Sequence, residues 1–442
     1  MKTVAYHNLG CKVNSYEMDA MLQALRQKGY QIVPFEEKAD LYIINTCTVT
    51  NIADRKSRQM LHRAKKTNPE GIVVAVGCYV QSDTQAVRED GAVDLLIGNN
   101  RKKDLVTILE NYLDGVAQES VIDINHTSEY EEMRLTSTTE HTRAYIKIQD
   151  GCNQFCTYCM IPYARGRVRS RKKSDILDEI KGLVATGYKE FVLTGIHISS
   201  YGIDFKAKQE NLLALIQAID ALEGVERLRL GSLEPRIVTE EFARSLAGLR
   251  HICPHFHLSL QSGCETVLKR MNRHYTPQEY LSGVGFLRAA FEHPAITTDV
   301  IVGFPGETPE EFEITRQFVE KVQFYEMHIF KYSKRKGTKA AVMPKQVPEE
   351  VKAGRSGVLQ DIEACDSKDF RAFYVGSEVE VLLEEKKEIR GKEYWIGHTR
   401  EYVKVACSGK ENECMETENL QNKLITGKIT GFLQDDILFL EM

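Results

Sequence analysis

The sequence contains no run of ~18 apolar residues, so no membrane-spanning helix is expected. It has one tryptophan and 11 prolines in 442 residues, no low-complexity tract and no internal repeat, which excludes collagen-like, repeat and wholly disordered classes. The first ten residues hold one lysine and no apolar core segment, so no secretory signal is expected. Neither sign of charge dominates. With 58 basic and 63 acidic residues, the net charge of −5 neither requires nor excludes a nucleic-acid partner. Hydrophobic residues at 42% suffice for packed cores, and the length suggests about three domains. The expectation is a soluble cytoplasmic protein. Its 11 cysteines are an odd number, and a disulfide framework is not expected in that compartment. Cysteines that stand in a pattern therefore read as metal ligands or catalytic groups.

Residues 1–114 alternate short apolar runs with amphipathic stretches. Thr3–His7, Leu41–Asn45, Ile72–Val76 and Asp94–Ile97 read as strands, and Tyr16–Lys28, Ala53–Lys66 and Lys102–Tyr112 as helices. That is an open parallel α/β sheet. Residues 115–142 are polar and patternless, a connection with little structure expected. Residues 143–369 resume the alternation with six strands (Ala144–Ile148, Glu190–Leu193, Arg227–Leu230, His255–Leu260, Thr297–Val302, Glu326–Phe330), which predicts a partial (β/α)6 barrel with its site at the C-terminal strand ends. After a helical pattern over 348–373, short alternating runs with glycine-bearing turns in 370–442 predict a small antiparallel β-barrel.

The most informative segment is Cys152-Asn-Gln-Phe-Cys156-Thr-Tyr-Cys159, placed just after the first barrel strand. Three thiolates on one short loop can hold three irons of a 4Fe-4S cluster and leave the fourth open to a substrate. A structural zinc loop competes, but zinc normally takes a fourth Cys or His at ligand spacing and none lies nearby. Cys11, Cys47 and Cys78 each follow an N-terminal strand, so a parallel sheet brings all three to one edge, where open α/β folds bind ligands. Position alone leaves a second cluster and three structural thiols equally open.

The C-x3-C-x2-C spacing on a six-unit β/α chain is the pattern of the radical S-adenosylmethionine (SAM) superfamily. Asn8-Leu-Gly-Cys11-Lys-Val-Asn-Ser-Tyr-Glu17, Asn45-Thr-Cys47-Thr-Val-Thr50 and Gly77-Cys78-Tyr79 resemble the N-terminal domain of the methylthiotransferases, which join it to a radical SAM barrel and a TRAM domain. Leu233-Glu-Pro235, Leu258–Gly263, Lys269–Thr276 and Asp299–Glu307 resemble the family's barrel motifs. The resemblance implies two 4Fe-4S clusters, one on Cys152, Cys156 and Cys159 and an auxiliary one on Cys11, Cys47 and Cys78, with SAM on the open iron. Tyr158, Gly195, Ser232, Gln261 and Gly303 are the expected SAM contacts. SAM would be used twice, once to methylate a sulfur on the auxiliary cluster and once to generate a 5′-deoxyadenosyl radical. The Gly10–Asn14 wording looks most like the branch that modifies N6-threonylcarbamoyladenosine at position 37 of tRNA. The implied partners are the anticodon loops of ANN-decoding tRNAs, an electron donor and a sulfur source. Branches acting on isopentenyladenosine or on a ribosomal-protein aspartate are the alternatives, and a zinc/RNA-binding protein is the non-enzymatic one.

Arg165, Arg167, Arg169, Arg171, Lys172 and Lys173 put six positive charges in nine residues beside the cysteine loop, so the four arginines are expected to form a basic, RNA-binding rim. Lys331, Lys334, Arg335, Lys336 and Lys339 form a second basic segment. The TRAM-like stretch is acidic, with 10 basic and 14 acidic residues from Phe370 to Met442, which weakens an RNA role for it. Tyr394, Trp395 and Tyr402 are expected to pack rather than stack on bases. Alternate residues His251, Cys253, His255 and His257 suggest a metal site, but Pro254 breaks the ladder, so barrel-lining polar residues are expected instead. Cys264, Cys365, Cys407 and Cys414 have no partner at ligand spacing.

Overall fold

The computed structural model describes residues 2–116, 120–137, 142–206, 210–408 and 419–442. The first unit is an all-parallel sheet in the order β2-β1-β3-β4-β5, formed by β1 (Thr3–Asn8), β2 (Gln31–Ile32), β3 (Leu41–Thr46), β4 (Ile72–Gly77) and β5 (Leu95–Ile97). Every residue of β3 is buried, because helices cover both faces and an apolar run without alternation is then favoured. Helices α1 (Lys12–Gln27), α2 (Asn51–Thr67) and α3 (Cys78–Ser82) follow β1, β3 and β4. Strand β2 was not expected, since two residues are too few to show a period. Helix α1 starts four residues before the expected Tyr16, because its first turn buries polar Asn14 along with Val13.

The second unit contains β6 (Ala144–Asp150), β7 (Arg169–Ser170), β8 (Glu190–Gly195), β9 (Arg227–Leu230), β10 (His255–His257), β11 (Ala295–Val302) and β12 (Glu326–Lys331). Six of these are parallel, and β7 pairs antiparallel on the β6 edge. They form sheets β7-β6-β8-β9 and β10-β11-β12, joined by bridges Leu228–Ile252 and Leu233–Leu258. No pairing among the described residues links β12 back to β6 or β7, so the barrel is incomplete; α1 packs on β6 and β8.

The connection between these units is less idle than its composition predicts. Ile124, Met133 and Leu135 are buried. The Tyr130 hydroxyl donates to the Lys147 carbonyl at 2.9 Å, and the Leu135 N–H donates to Glu179 Oε1 at 2.6 Å. It straps the first sheet to the barrel.

A 24-residue helix, Glu349–Ala372, leads to β13 (Glu378–Ile389), β14 (Lys392–His398), β15 (Lys404–Cys407), β16 (Leu424–Gln434) and β17 (Ile437–Glu441), a closed barrel in the order β13-β14-β15-β17-β16. It docks on the N-terminal ends of the larger barrel's strands. Arg227 pairs with Glu380 at 2.9 Å, and Arg229 donates to the Thr399 and Arg400 carbonyls at 2.7 Å each. Cys414 lies outside the described residues. No helix among the described residues is long and apolar enough to cross a membrane.

Candidate active site

Parallel strands place Cys11, Cys47 and Cys78 together at the C-terminal edge of the first sheet. Cys11 is the N-cap of α1, Cys47 follows β3, and Cys78 opens α3. Gly77, at φ +99°, makes the turn into Cys78, and a Cβ there would meet Asn45 Oδ1 at 2.6 Å. The sulfurs act on one another. Cys47 is pushed up to about 12, first by burial and then by Cys78, with Cys11 adding to it. Burial raises Cys11 as well, while Arg165 pulls it down. The Arg165 Nε–H reaches Cys78 Sγ at 3.2 Å and Asn99 Nδ2 reaches it at 3.6 Å.

The second cysteine loop leaves β6 through Gly151, at φ +74°, where a Cβ would sit 1.8 Å from the Arg167 carbonyl oxygen. Segment 270–273 clamps the loop. Thr157 donates to the Met271 and Arg270 carbonyls, Asn272 Nδ2 bonds the Gln154 and Phe155 carbonyls, and Arg273 Nη1 lies 3.5 Å from Cys156 Sγ. The Lys269–Thr276 motif thus positions the loop, a role its sequence did not disclose. Burial pushes Cys152 up to about 11 and Cys159 further still, with Cys156 adding to both. Three convergent thiols in each group suit iron–sulfur ligation, which supplies the charge that holds them as thiolates.

Both groups open on one cavity of about 410 Å3, lined by Cys11, Thr50, Tyr158, Cys159, Gln261 and Asp299 among others. Of the expected SAM contacts it takes in Tyr158 and Gln261. Gly195 ends β8 against the Gln149 carbonyl, and Ser232 is exposed just after β9; neither is on this lining. Gly303 is off it too. A Cβ there would meet Lys352 Cγ at 2.3 Å, so its missing side chain makes room for the 349–372 helix rather than for a ligand.

The expected arginine rim is corrected by the structure. Arg165, Arg169 and Arg171 are fully buried, and Arg167 is half-buried with its guanidinium 4.4 Å from the Phe155 ring. Arg165 pairs with Glu17 and Asp150, Arg169 lies 3.8 Å from Asp150, and Arg171 pairs with Glu132 and Glu179. Lys102 and Lys147 also face Glu17. Four buried cations (Lys102, Lys147, Arg165, Arg169) therefore surround two carboxylates, Glu17 and Asp150, whose pKa values fall well below the usual range against the opposing effect of burial. The buried Glu131 carboxyl, raised by its burial, also faces Lys147 and Lys102, while Arg165 carries positive charge to Cys78, where thiolates would offset it.

The second basic segment is split. Arg335 is buried on Asp54, Asn51 and Thr48, which fixes the Cys47 loop to the barrel. Lys331, Lys334, Lys336 and Lys339 are exposed, as are Arg55, Lys56 and Arg58 on α2, and Lys331 and Ser333 lie on the cavity lining. In the C-terminal barrel Trp395 is buried, Tyr394 packs on Phe439, and Tyr402 stacks on His398 with ring centroids 4.5 Å apart. Residues 397–400 face the larger barrel. His251 bonds Asp220 and His255 packs on Tyr402, so the alternate histidines do not converge. His257, Asp299 and His328 do bring ligand atoms within 4.8 Å of one another inside the barrel.

Comparison with known proteins agrees with this architecture. The model of the Radical SAM superfamily matches residues 146–319, and that of an uncharacterized protein family, UPF0004, matches residues 3–98. The chain is 41% identical over 432 residues to the threonylcarbamoyladenosine tRNA methylthiotransferase MtaB of Bacillus subtilis (97% of this chain, 94% of that one). It is 37% identical over 428 residues to the tRNA-2-methylthio-N(6)-dimethylallyladenosine synthase of Carboxydothermus hydrogenoformans (95% of each). Among solved structures it is similar in fold to TsrM, a radical SAM methyltransferase from Kitasatospora setae bearing cobalamin and a [4Fe-4S] cluster (TM-score 0.59, 15% identity, 77% of each chain). With its two cysteine groups on one cavity and these relatives along nearly its whole length, the chain belongs to the radical SAM methylthiotransferases, enzymes that use SAM and two 4Fe-4S clusters.

Proposed function

We propose that this enzyme adds a methylthio group to C2 of N6-threonylcarbamoyladenosine at position 37 of tRNA, in the cytoplasm. The observation that carries the reading is the shared cavity, which puts Cys11 of one cysteine group and Cys159 of the other around a single space. Cys152, Cys156 and Cys159 would hold the cluster that binds SAM, and Cys11, Cys47 and Cys78 the auxiliary one. Bound there, the clusters and SAM supply hydrogen abstraction and a sulfur site, chemistry no side-chain acid or base can provide.

The chain's own residues do the rest. Tyr158 and Gln261 line the space beside Cys159, where SAM must sit; Gly195 and Ser232 stand at neighbouring strand ends. Arg273 holds Cys156, and Arg165 holds Cys78. Exposed Lys331, Lys334, Lys336 and Lys339 with Arg55 and Lys56 flank the mouth and suit a phosphate backbone. A base edge is reachable only when unpaired, so an anticodon-loop nucleotide fits and a duplex does not. An electron donor and a sulfur source complete the reaction. The greater likeness to the threonylcarbamoyladenosine relative (41% against 37%) favours that base over the dimethylallyl one.

Mass spectrometry of tRNA nucleosides from cells with and without the gene tests this. Loss of 2-methylthio-threonylcarbamoyladenosine, with its unthiolated precursor accumulating, is the expected result. An unchanged nucleoside profile would overturn it.

A further inference from the structure

His257 on β10, Asp299 on β11 and His328 on β12 stand on one face of the three-stranded sheet. The register pairs His257 with Thr297 and Asp299 with His328, and residues 297 and 299 share a side of their strand. Ile301 and Phe330, the next pair on that side, line the cavity that takes Cys11 and Cys159, and so does Asp299. One carboxylate and two imidazoles from three strands thus meet on the cavity side of the barrel. Their ligand atoms lie within 4.8 Å of one another, and His257 Nε2 is 3.4 Å from Asp299 Oδ2.

The free atoms of these side chains are not taken up by the fold. The Thr297 hydroxyl holds His257 Nδ1 at 3.0 Å, which fixes the ring and leaves Nε2 buried with no hydrogen-bond partner. Among the described residues no lysine or arginine pairs with Asp299. His328 makes no hydrogen bond among them, and its ring lies on His257 with centroids 5.9 Å apart. A buried polar atom without a partner calls for one. An imidazole whose other nitrogen is anchored by a hydrogen bond is the usual form of a metal-binding histidine. The spacing agrees. Bonds of about 2.0–2.1 Å to a tetrahedral ion put neighbouring ligand atoms about 3.3 Å apart. The His257–Asp299 pair already stands at 3.4 Å. His328, exposed on the edge strand β12, reaches the same separation by a shift of at most about 1.5 Å.

We propose that His257, Asp299 and His328 bind a divalent first-row transition ion of the Fe2+ to Zn2+ class, a third metal centre distinct from the two cysteine groups. Two nitrogen ligands select such an ion over Mg2+ or Ca2+, which take oxygen. Three protein ligands leave a coordination position unfilled, as catalytic sites do and structural sites do not. Because Asp299 forms part of the cavity wall, that position is reached from the cavity, and it takes an anionic or carbonyl oxygen of a molecule held there. The site uses no cysteine and does not depend on which base is modified.

The test uses the anaerobically reconstituted holoenzyme with its clusters oxidised, dialysed against buffered zinc and analysed for zinc and iron together. Wild type should hold about one zinc per chain beside about eight irons. His328→Ala and Asp299→Asn should lose the zinc and keep the iron. Thr297→Val, which removes only the hydroxyl on His257 Nδ1, should weaken zinc binding by about 10- to 100-fold. Cobalt(II) in place of zinc gives a high-spin EPR signal while the oxidised clusters are silent, and azide should shift that signal through the open position. An excess of Mg2+ should displace neither ion. If wild type binds neither zinc nor cobalt, or if both ligand variants bind zinc as wild type does, the three side chains are not a metal centre. If azide leaves the cobalt signal unchanged, the ion has no position open to the cavity and that part of the proposal falls. His328 is exposed on an edge strand, so its alanine variant tests the site without disturbing the core, and unchanged iron content checks that it has not.

Discussion

Arg165→Met separates a structural arginine from an RNA-binding one. The guanidinium bonds Cys78 Sγ at 3.2 Å, Asn14 Oδ1 at 2.6 Å, Glu17 Oε2 at 3.0 Å and Asp150 Oδ2 at 3.2 Å, with no exposed surface. Breaking a buried ion pair costs about 3–5 kcal/mol. Here Glu17 keeps Lys102 and Lys147, and Asp150 keeps Lys147, so the lower end, about 3 kcal/mol, applies. At 1.4 kcal/mol per decade that is a roughly 100-fold rise in local opening. Arg167→Met, two residues on, removes only a half-buried guanidinium resting on Phe155 and should cost less than about 1 kcal/mol. Native-state proteolysis of the anaerobic protein reads the opening. Iron analysis should show Arg165→Met falling from about eight irons toward about four, while Arg167→Met keeps both clusters. If the two variants open alike and differ only in tRNA affinity, the buried-network account is wrong.

Cys156→Ala should abolish SAM cleavage, whereas Cys47→Ala should keep some cleavage and lose methylthio transfer; full transfer by the Cys47 variant would remove its sulfur-site role. Gly151→Ala should displace the cysteine loop and halve the iron content, since its Cβ would meet the Arg167 carbonyl at 1.8 Å, while Gly357→Ala on the 349–372 helix meets nothing within 4 Å and should raise stability by up to about 1 kcal/mol. Replacing Lys334, Lys336 and Lys339 together by alanine should flatten the salt dependence of tRNA binding, the slope in log–log form falling by about 0.9 for each phosphate no longer neutralised. Asp366 is raised to about 6 by burial and then by Asp369, so the fold favours its protonated form and stability drains as pH rises from about 4 to 6. Asp366→Asn should therefore stabilise by up to about 1 kcal/mol at pH 7.5, after allowance for solvent screening, and give no gain at pH 4; urea midpoints at the two pH values check this.

What could be read from the sequence was what is local or periodic. Cys152, Cys156 and Cys159 lie within eight residues, so one loop brings them together whatever surrounds it. Cys11, Cys47 and Cys78 could be placed on one edge because strands β1, β3 and β4 are apolar runs long enough to recognise, and parallel pairing does the rest. The six barrel strands were legible for the same reason. Tertiary structure alone decided where the charges point. Arg165 and Arg167 read alike in the chain, yet Arg165 meets Glu17 across 148 residues and Arg167 stays near solvent. The TRAM-like stretch Gly397–Arg400 became a docking surface because Arg227 and Arg229 stand at the barrel's base. A sequence displays a charge but not its counter-charge, and when partners lie more than a hundred residues apart only the fold determines whether a basic run meets water, a carboxylate or a ligand.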